Sequence, residues 1–178
     1  MRRTAINFDE IQKAQEDTER EAFDYFLNRK TGEVIILSQD IINKAWEILS
    51  ESYDDIGDFE DVELDKVPEI PEWMEDEIEL ALDIFMNEHD QYIRIPERNP
   101  KKTYAAMSEF ANTLQNQTLK ESLFSVLDGP GSFRKFKDSL APFPKEKKLW
   151  HGFNAKATRK EIEEWLKTCK LQGAERPS

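Results

Sequence analysis

The chain has one cysteine, Cys169, two histidines, His89 and His151, and six glycines in 178 residues. A lone thiol excludes an internal disulfide, and so few Cys and His, so far apart, match no zinc spacing. No apolar run approaches the ~20 residues that a membrane-crossing helix needs. The opening "MRRTAINFDE" carries two arginines with no apolar stretch behind them, so it does not read as a secretory leader. Without an export signal, the glycosylation-like Asn116-Gln117-Thr118 is a coincidence of sequence. Together these absences predict a cytoplasmic protein with no membrane partner, no metal and no cofactor. Nothing in them fixes an oligomeric state.

Cations are also scarce, but only in one half. Residues 1–100 hold 10 Lys/Arg and 28 Asp/Glu, a net of −18, whereas residues 101–178 hold 15 and 9, a net of +6. The total is −12. Such polarity can steer a partner toward one end of a molecule, or bring the two halves together. Hydrophobic residues make up 38% of the chain, and eleven Phe and four Trp supply bulky anchors, which places it among folded proteins and not disordered ones.

Periodicity predicts the elements. "INFDEIQKAQED" reads as a short helix capped by Asn7 or Asp9. Two β-rich runs, Phe23–Leu27 and Glu33–Leu37, flank a short loop in which Gly32 suits a positive φ, giving a β-hairpin. The unbroken Val34-Ile35-Ile36-Leu37 run predicts a strand covered on both faces. Ile41, Ile42, Ala45, Trp46 and Leu49 then recur at helical spacing, with Ser38 as a cap. Residues 54–70 are acid-rich with one Gly and two Pro, and read as a linker or loop. Met74, Ile78, Ala81, Leu82 and Phe85 mark the next helix, and "QYIRIP" a short strand ended by Pro96. The rest is helical: one helix from Pro100, one opened by a Thr118/Glu121 capping box, one from Ser132, a short one around Trp150, and a last one opened by a Thr158/Glu161 capping box.

This predicts a predominantly helical α+β protein with a small antiparallel hairpin or sheet and a C-terminal helical bundle. Its parts are residues 1–53 (helix, hairpin, helix), the acidic segment 54–70, a helical region 71–170 that includes the "YIRIP" strand, and a tail at 171–178. If that strand joins the hairpin, the halves form one domain; otherwise they are two lobes.

The motifs "TGEVI", "YIRIP" and "DGPGSFRKFKDSL", followed by Trp150-x-x-Phe153 and "EEWLK", occur in the order found in a bacterial group that this chain resembles, uncharacterised protein family 0158. The resemblance runs from about Phe23 to Lys167, and its best mark is Gly129, Gly131, Ser132, Phe133, Arg134, Phe136 and Lys137. It implies the same partition of the fold. It implies no reaction, substrate or cofactor, because the group has no established function.

The glycine turn is the first candidate site. Free N–H groups at a helix start can hold an anion, with Ser132 capping or donating and Arg134 and Lys137 adding charge. Yet the spacing is neither a P-loop nor a dinucleotide fingerprint. On a helical projection Phe133, Phe136 and Leu140 share about 60° of arc, Arg134 and Asp138 have ion-pair spacing, and the three bases fan out. The turn therefore also reads as a structural corner. Arg94 either reaches a ligand or pairs with an acid of the preceding helix. The acidic "DDIGDFEDVELD" lacks the calcium-loop arrangement. The tryptophans, Trp150 among them, read as core anchors, and Cys169 as core packing. His151 has no nucleophile spaced beside it.

No residue pattern points to catalysis, and the sequence leans away from an enzyme. The expected function is a binding or regulatory module acting on a protein or nucleic acid through its basic C-terminal helices, with Lys/Arg in residues 134–160 as the contact. The alternative is a nucleotide- or phosphate-binding protein or enzyme that uses Gly129–Lys137 with Arg94. Under either reading the candidate set is Arg94, Gly129, Gly131, Ser132, Arg134, Lys137 and Trp150.

Overall fold

The computed structural model describes residues 3–54 and 70–175. The acidic segment, apart from its first and last residues, lies outside the described residues. Elsewhere the architecture is α+β and mainly helical, with a small three-stranded antiparallel sheet. The chain divides into two compact units: residues 1–97 with 171–178, and residues 98–170.

In the first unit, β1 (Arg3–Ile6) precedes α1 (Phe8–Glu16). The Asn7 side chain accepts hydrogen bonds from the Asp9 and Glu10 N–H groups, so Asn7 is the cap and Asp9 lies in the first turn. The hairpin forms as the sequence predicts. β2 (Phe23–Asn28) runs antiparallel to β3 (Val34–Ser38) with Tyr25 opposite Ile36, and Gly32 turns the loop at φ 77°. Ser38 Oγ accepts from the Ile41 N–H and caps α2 (Gln39–Asp54). A 3-10 turn at Glu72–Met74 leads into α3 (Glu75–Met86), and β4 (Tyr92–Arg94) pairs antiparallel with the free edge of β2. The "YIRIP" strand thus joins the hairpin, in the order β3-β2-β4.

One face of this sheet is apolar. Phe26, Ile35 and Leu37 pack with Ile41, Ala45 and Ile48 of α2 and with Ile78, Ala81 and Ile84 of α3. Tyr92 closes the same cluster and donates its hydroxyl to Asp83 at 2.9 Å. Two expectations fail here. Ile36 is exposed, so β3 is not covered on both faces. Trp46 and Trp73 are 51% and 74% exposed, Trp46 lying flat on Phe85 at 4.7 Å, so neither anchors the core. The helical spacing of Trp46 puts it at the border of the apolar stripe, where its ring covers Phe85 without leaving water.

Residues 171–178, expected as a tail, contribute β5 (Gln172–Glu175), which pairs parallel with β1 in the register Ala5 to Ala174. Two four-residue strands so distant in sequence leave no periodic signal, because their pairing is entirely non-local.

The second unit is all helix: α4 (Pro100–Thr113), α5 (Gln117–Leu127), α6 (Ser132–Leu140) and α7 (Pro144–Thr168). Asn99 and Asn116 cap the first two, each accepting a backbone N–H. The α5 cap is therefore Asn116, and Thr118 is already inside the helix. Phe110, Phe136 and Trp150 form the centre of an aromatic core, with ring centroids 5.1 to 6.4 Å apart. Leu119, Leu123, Leu127 and Leu140 fill in around them.

The largest departure from expectation is α7. The short helix around Trp150 and the last helix from Thr158 are one continuous helix of 25 residues. Thr158 is fully buried, and its hydroxyl donates to the Asn154 carbonyl one turn back at 2.8 Å. Glu161 is held by Arg98. Both members of the apparent capping box are thus occupied within a helix interior, where a threonine hydroxyl can satisfy itself on the i−4 carbonyl.

Candidate functional site

Among the described residues, the two arginines nearest to being buried are structural, one in each unit. In the first, Arg20 donates to Asp24 at 2.8 Å, to the Ile95 carbonyl at 2.7 Å and to the Ala14 carbonyl at 3.0 Å, and its guanidinium lies over the Tyr25 ring. Arg94 donates from Nε to the other oxygen of Asp24 at 2.7 Å. The partner of Arg94 is therefore an acid of β2 and not one of the preceding helix, because β2 and β4 are neighbours in the sheet. Tyr25 hydrogen-bonds Asp17; burial, then that bond, pushes the Tyr25 phenol up to about 12. The same bond holds Asp17 below its ordinary value.

In the second unit, Arg98 forks onto Glu161 at 2.9 and 3.3 Å and reaches the Asn154 amide oxygen at 2.7 Å. Both partners are on α7, so this cluster fixes the inward face of that helix beside the start of α4.

The glycine turn is well formed. Gly131 sits in the left-handed region at φ 66° as the N-cap of α6, with no side chain capping it. Only glycine adopts that conformation without strain. Behind it the helix follows the projection: Phe136 and Leu140 are buried and Phe133 is half-buried. Arg134 is 91% exposed and lies 4.0 Å from Asp138, and Lys137, about one turn further on, is also exposed. Gly129 and Ser132 are half-buried. Trp150 is 3% exposed, with its ring against Phe110 and Phe136. It is a core anchor, and a partner on the surface does not reach it.

A different group of cations emerges once α7 is seen as one helix. Lys145, Lys148, Gly152, Lys156 and Arg159 are all exposed. At 100° per residue they fall within about 80° of arc, on the side opposite Trp150. At 1.5 Å per residue the stripe from Lys145 to Arg159 is about 21 Å long. Lys160 and Lys167, also exposed, flank or extend it, whereas the exposed Lys147 projects from another side of the helix. Among the described residues Lys145, Lys148 and Lys156 form no ion pair, while Arg159 lies 3.5 Å from Glu163 at the end of the stripe. Nothing meets the space where a Gly152 side chain would stand. Reading only a short helix around Trp150 hides this pattern, because Lys156 and Arg159 then fall outside it. The spacing i, i+3, i+7, i+11, i+14 shows it as soon as the chain from Pro144 is taken as uninterrupted.

Charge and fold share a boundary. Residues 98–170 carry 15 Lys/Arg and 8 Asp/Glu, a net of +7. The remainder carries 10 and 29, a net of −19. Among the described residues no cluster of three or more His, Cys, Asp or Glu is arranged to hold a metal ion, and no helix is long and apolar enough to cross a membrane.

The model of an uncharacterised protein family, UPF0158, matches residues 61–178. The chain belongs to that family. The UPF0158 match takes in α3, β4, the whole helical unit and β5, and with them "YIRIP" and "DGPGSFRKFKDSL". It leaves out β1, α1, the hairpin with its "TGEVI", and α2. No curated protein and no solved structure matches this UPF0158 chain.

Proposed function

We propose that this UPF0158 protein is a binding or regulatory module, without chemistry of its own, that engages a polyanionic partner through the outer face of α7. The observation that carries the reading is the one-sided stripe of Lys145, Lys148, Lys156 and Arg159 on the helix face opposite Trp150. Charged residues on a surface usually serve solvation, and bases placed for that purpose alone are interspersed with acids. Here the only acid within the arc is Glu163, at its C-terminal end. The inward acid Glu161 is consumed by Arg98 and does not offset the outer bases.

The sign of the whole chain makes a clean test possible. A protein of net charge −12 is repelled by an immobilised polyanion unless a local patch binds it. The full chain is passed over a heparin column at pH 7 and low salt. Retention that is lost in Lys145→Glu/Lys148→Glu/Lys156→Glu supports the reading. Passage of the parent chain in the void volume rejects it.

A further inference from the structure

We infer that the polyanion is nucleic acid, and that α7 grips its phosphate backbone without reading its sequence. This rests on the preceding proposal and adds the class of partner. Protein and nucleic acid place different demands on a surface. A protein interface has an apolar or aromatic centre, and lysine is depleted there. The arc between Lys145 and Arg159 offers no aromatic side chain, and the one large apolar residue beside it is Leu149. Three of its four cations are lysines, which suit phosphates as mobile point charges but do not fork onto a carboxylate. The array is also straight and regular along about 21 Å of helix. It thus faces a polymer of evenly spaced charge better than the irregular acids of a folded protein.

The same arc explains why sequence is not read. Base edges are recognised by Arg, Asn, Gln or Glu reaching into a groove, and single strands by aromatic rings on which bases stack. Apart from Arg159, which lies beside Glu163, the stripe carries none of these. Gly152 stands midway between Lys148 and Lys156, where nothing occupies the space of a side chain. A glycine in the exposed middle of a long helix is a poor choice for helix stability. It does let a backbone come close to the helix axis between the two lysines.

The test uses the full chain and fluorescence anisotropy with two labelled 20-base-pair duplexes of unrelated sequence, alongside labelled polyglutamate. At low salt both duplexes bind, with affinities within about threefold of each other, as expected for contacts to phosphates. Between 50 and 200 mM salt the affinity drops on the order of a hundredfold, as release of counterions from about four phosphates requires. Lys148→Ala/Lys156→Ala weakens binding at least tenfold. Lys101→Ala/Lys102→Ala, the same loss of charge on α4, leaves it nearly unchanged. Equal loss in both variants would mean that net charge and not the stripe is sensed, and overturns the inference. Polyglutamate bound in place of the duplexes overturns it while leaving a polyanion-binding module intact. No binding of either probe removes both.

Discussion

The two units of this chain bury their cores by different means and carry opposite charge. The first uses aliphatic residues, chiefly isoleucines of α2 and α3, against one face of a three-stranded sheet. The second stacks Phe110, Phe136 and Trp150 among four helices. Among the described residues none belongs to both clusters, and the change of charge from −19 to +7 falls where one unit gives way to the other. Each unit, among the described residues, stabilises one largely buried arginine with its own carboxylate, Arg20 with Asp24 and Arg98 with Glu161. The contrast teaches that inward charge is settled locally in both units. Lys145, Lys148 and Lys156 of α7 take no part in such pairs among the described residues, and their place on one side of the helix is what singles them out.

Damaging one core at a time separates the two units most strongly. Phe136→Ala empties the centre of the helical unit and should cost it about 3–5 kcal/mol. Ile78→Ala should cost the first unit about 2–5 kcal/mol. Hydrogen exchange resolved by segment is expected to lose protection in α4–α7 for the first variant and in α2, α3 and β2 for the second. Equal loss throughout in both variants would show a single cooperative core.

Next in size is Glu161→Ala. It leaves Arg98 largely buried and unpaired, which costs about 3 kcal/mol when a buried ion pair is broken from one side. Urea unfolding of α4–α7 should shift accordingly, whereas loss of an exposed pair such as Arg134–Asp138, by Asp138→Ala, should be worth under about 1 kcal/mol. Matching effects would contradict the assignment of Arg98 as the inward, structural arginine.

Smaller still is Gly152→Ala, which should raise the stability of α7 by about 1 kcal/mol and weaken duplex binding several-fold. Higher stability with unchanged binding would remove the close approach at Gly152 from the account.

The smallest effect concerns pH and the first unit alone. Tyr25 has its phenol pushed up to about 12 from an ordinary value of 10.0. The folded state thus holds that proton more tightly than the unfolded chain. Its contribution is complete below pH 10 and is lost as pH rises through about 12. Tyr25→Phe should blunt the alkaline unfolding of β2–β4 seen by circular dichroism in that window, and leave α4–α7 unaffected.

What the sequence revealed follows from how local each signal is. The hairpin was legible because Gly32 and two β-rich runs lie within sixteen residues. The Pro100 and Ser132 helix starts, the Phe136–Leu140 stripe and the family relationship were legible for the same reason. β1 and β5 were not, since four residues at each end acquire meaning only from each other. Trp46 and Trp73 misled because bulk predicts burial only on average. Most costly was Thr158, whose capping signature has the same letters whether the hydroxyl meets a backbone N–H at a helix start or a carbonyl one turn back. That ambiguity cut α7 in two, while the glycine turn drew attention to Arg134 and Lys137 of α6. The stripe that begins at Lys145 went unseen.

The most direct test of that stripe is the slope of log affinity for a 20-base-pair duplex against log salt, for the full chain and for Lys148→Ala/Lys156→Ala. With about 0.9 counterion released per neutralised phosphate, the parent slope should lie near −3.5 and that of the variant about two units shallower. A parent slope near zero, or two equal slopes, would contradict a phosphate-binding face on α7.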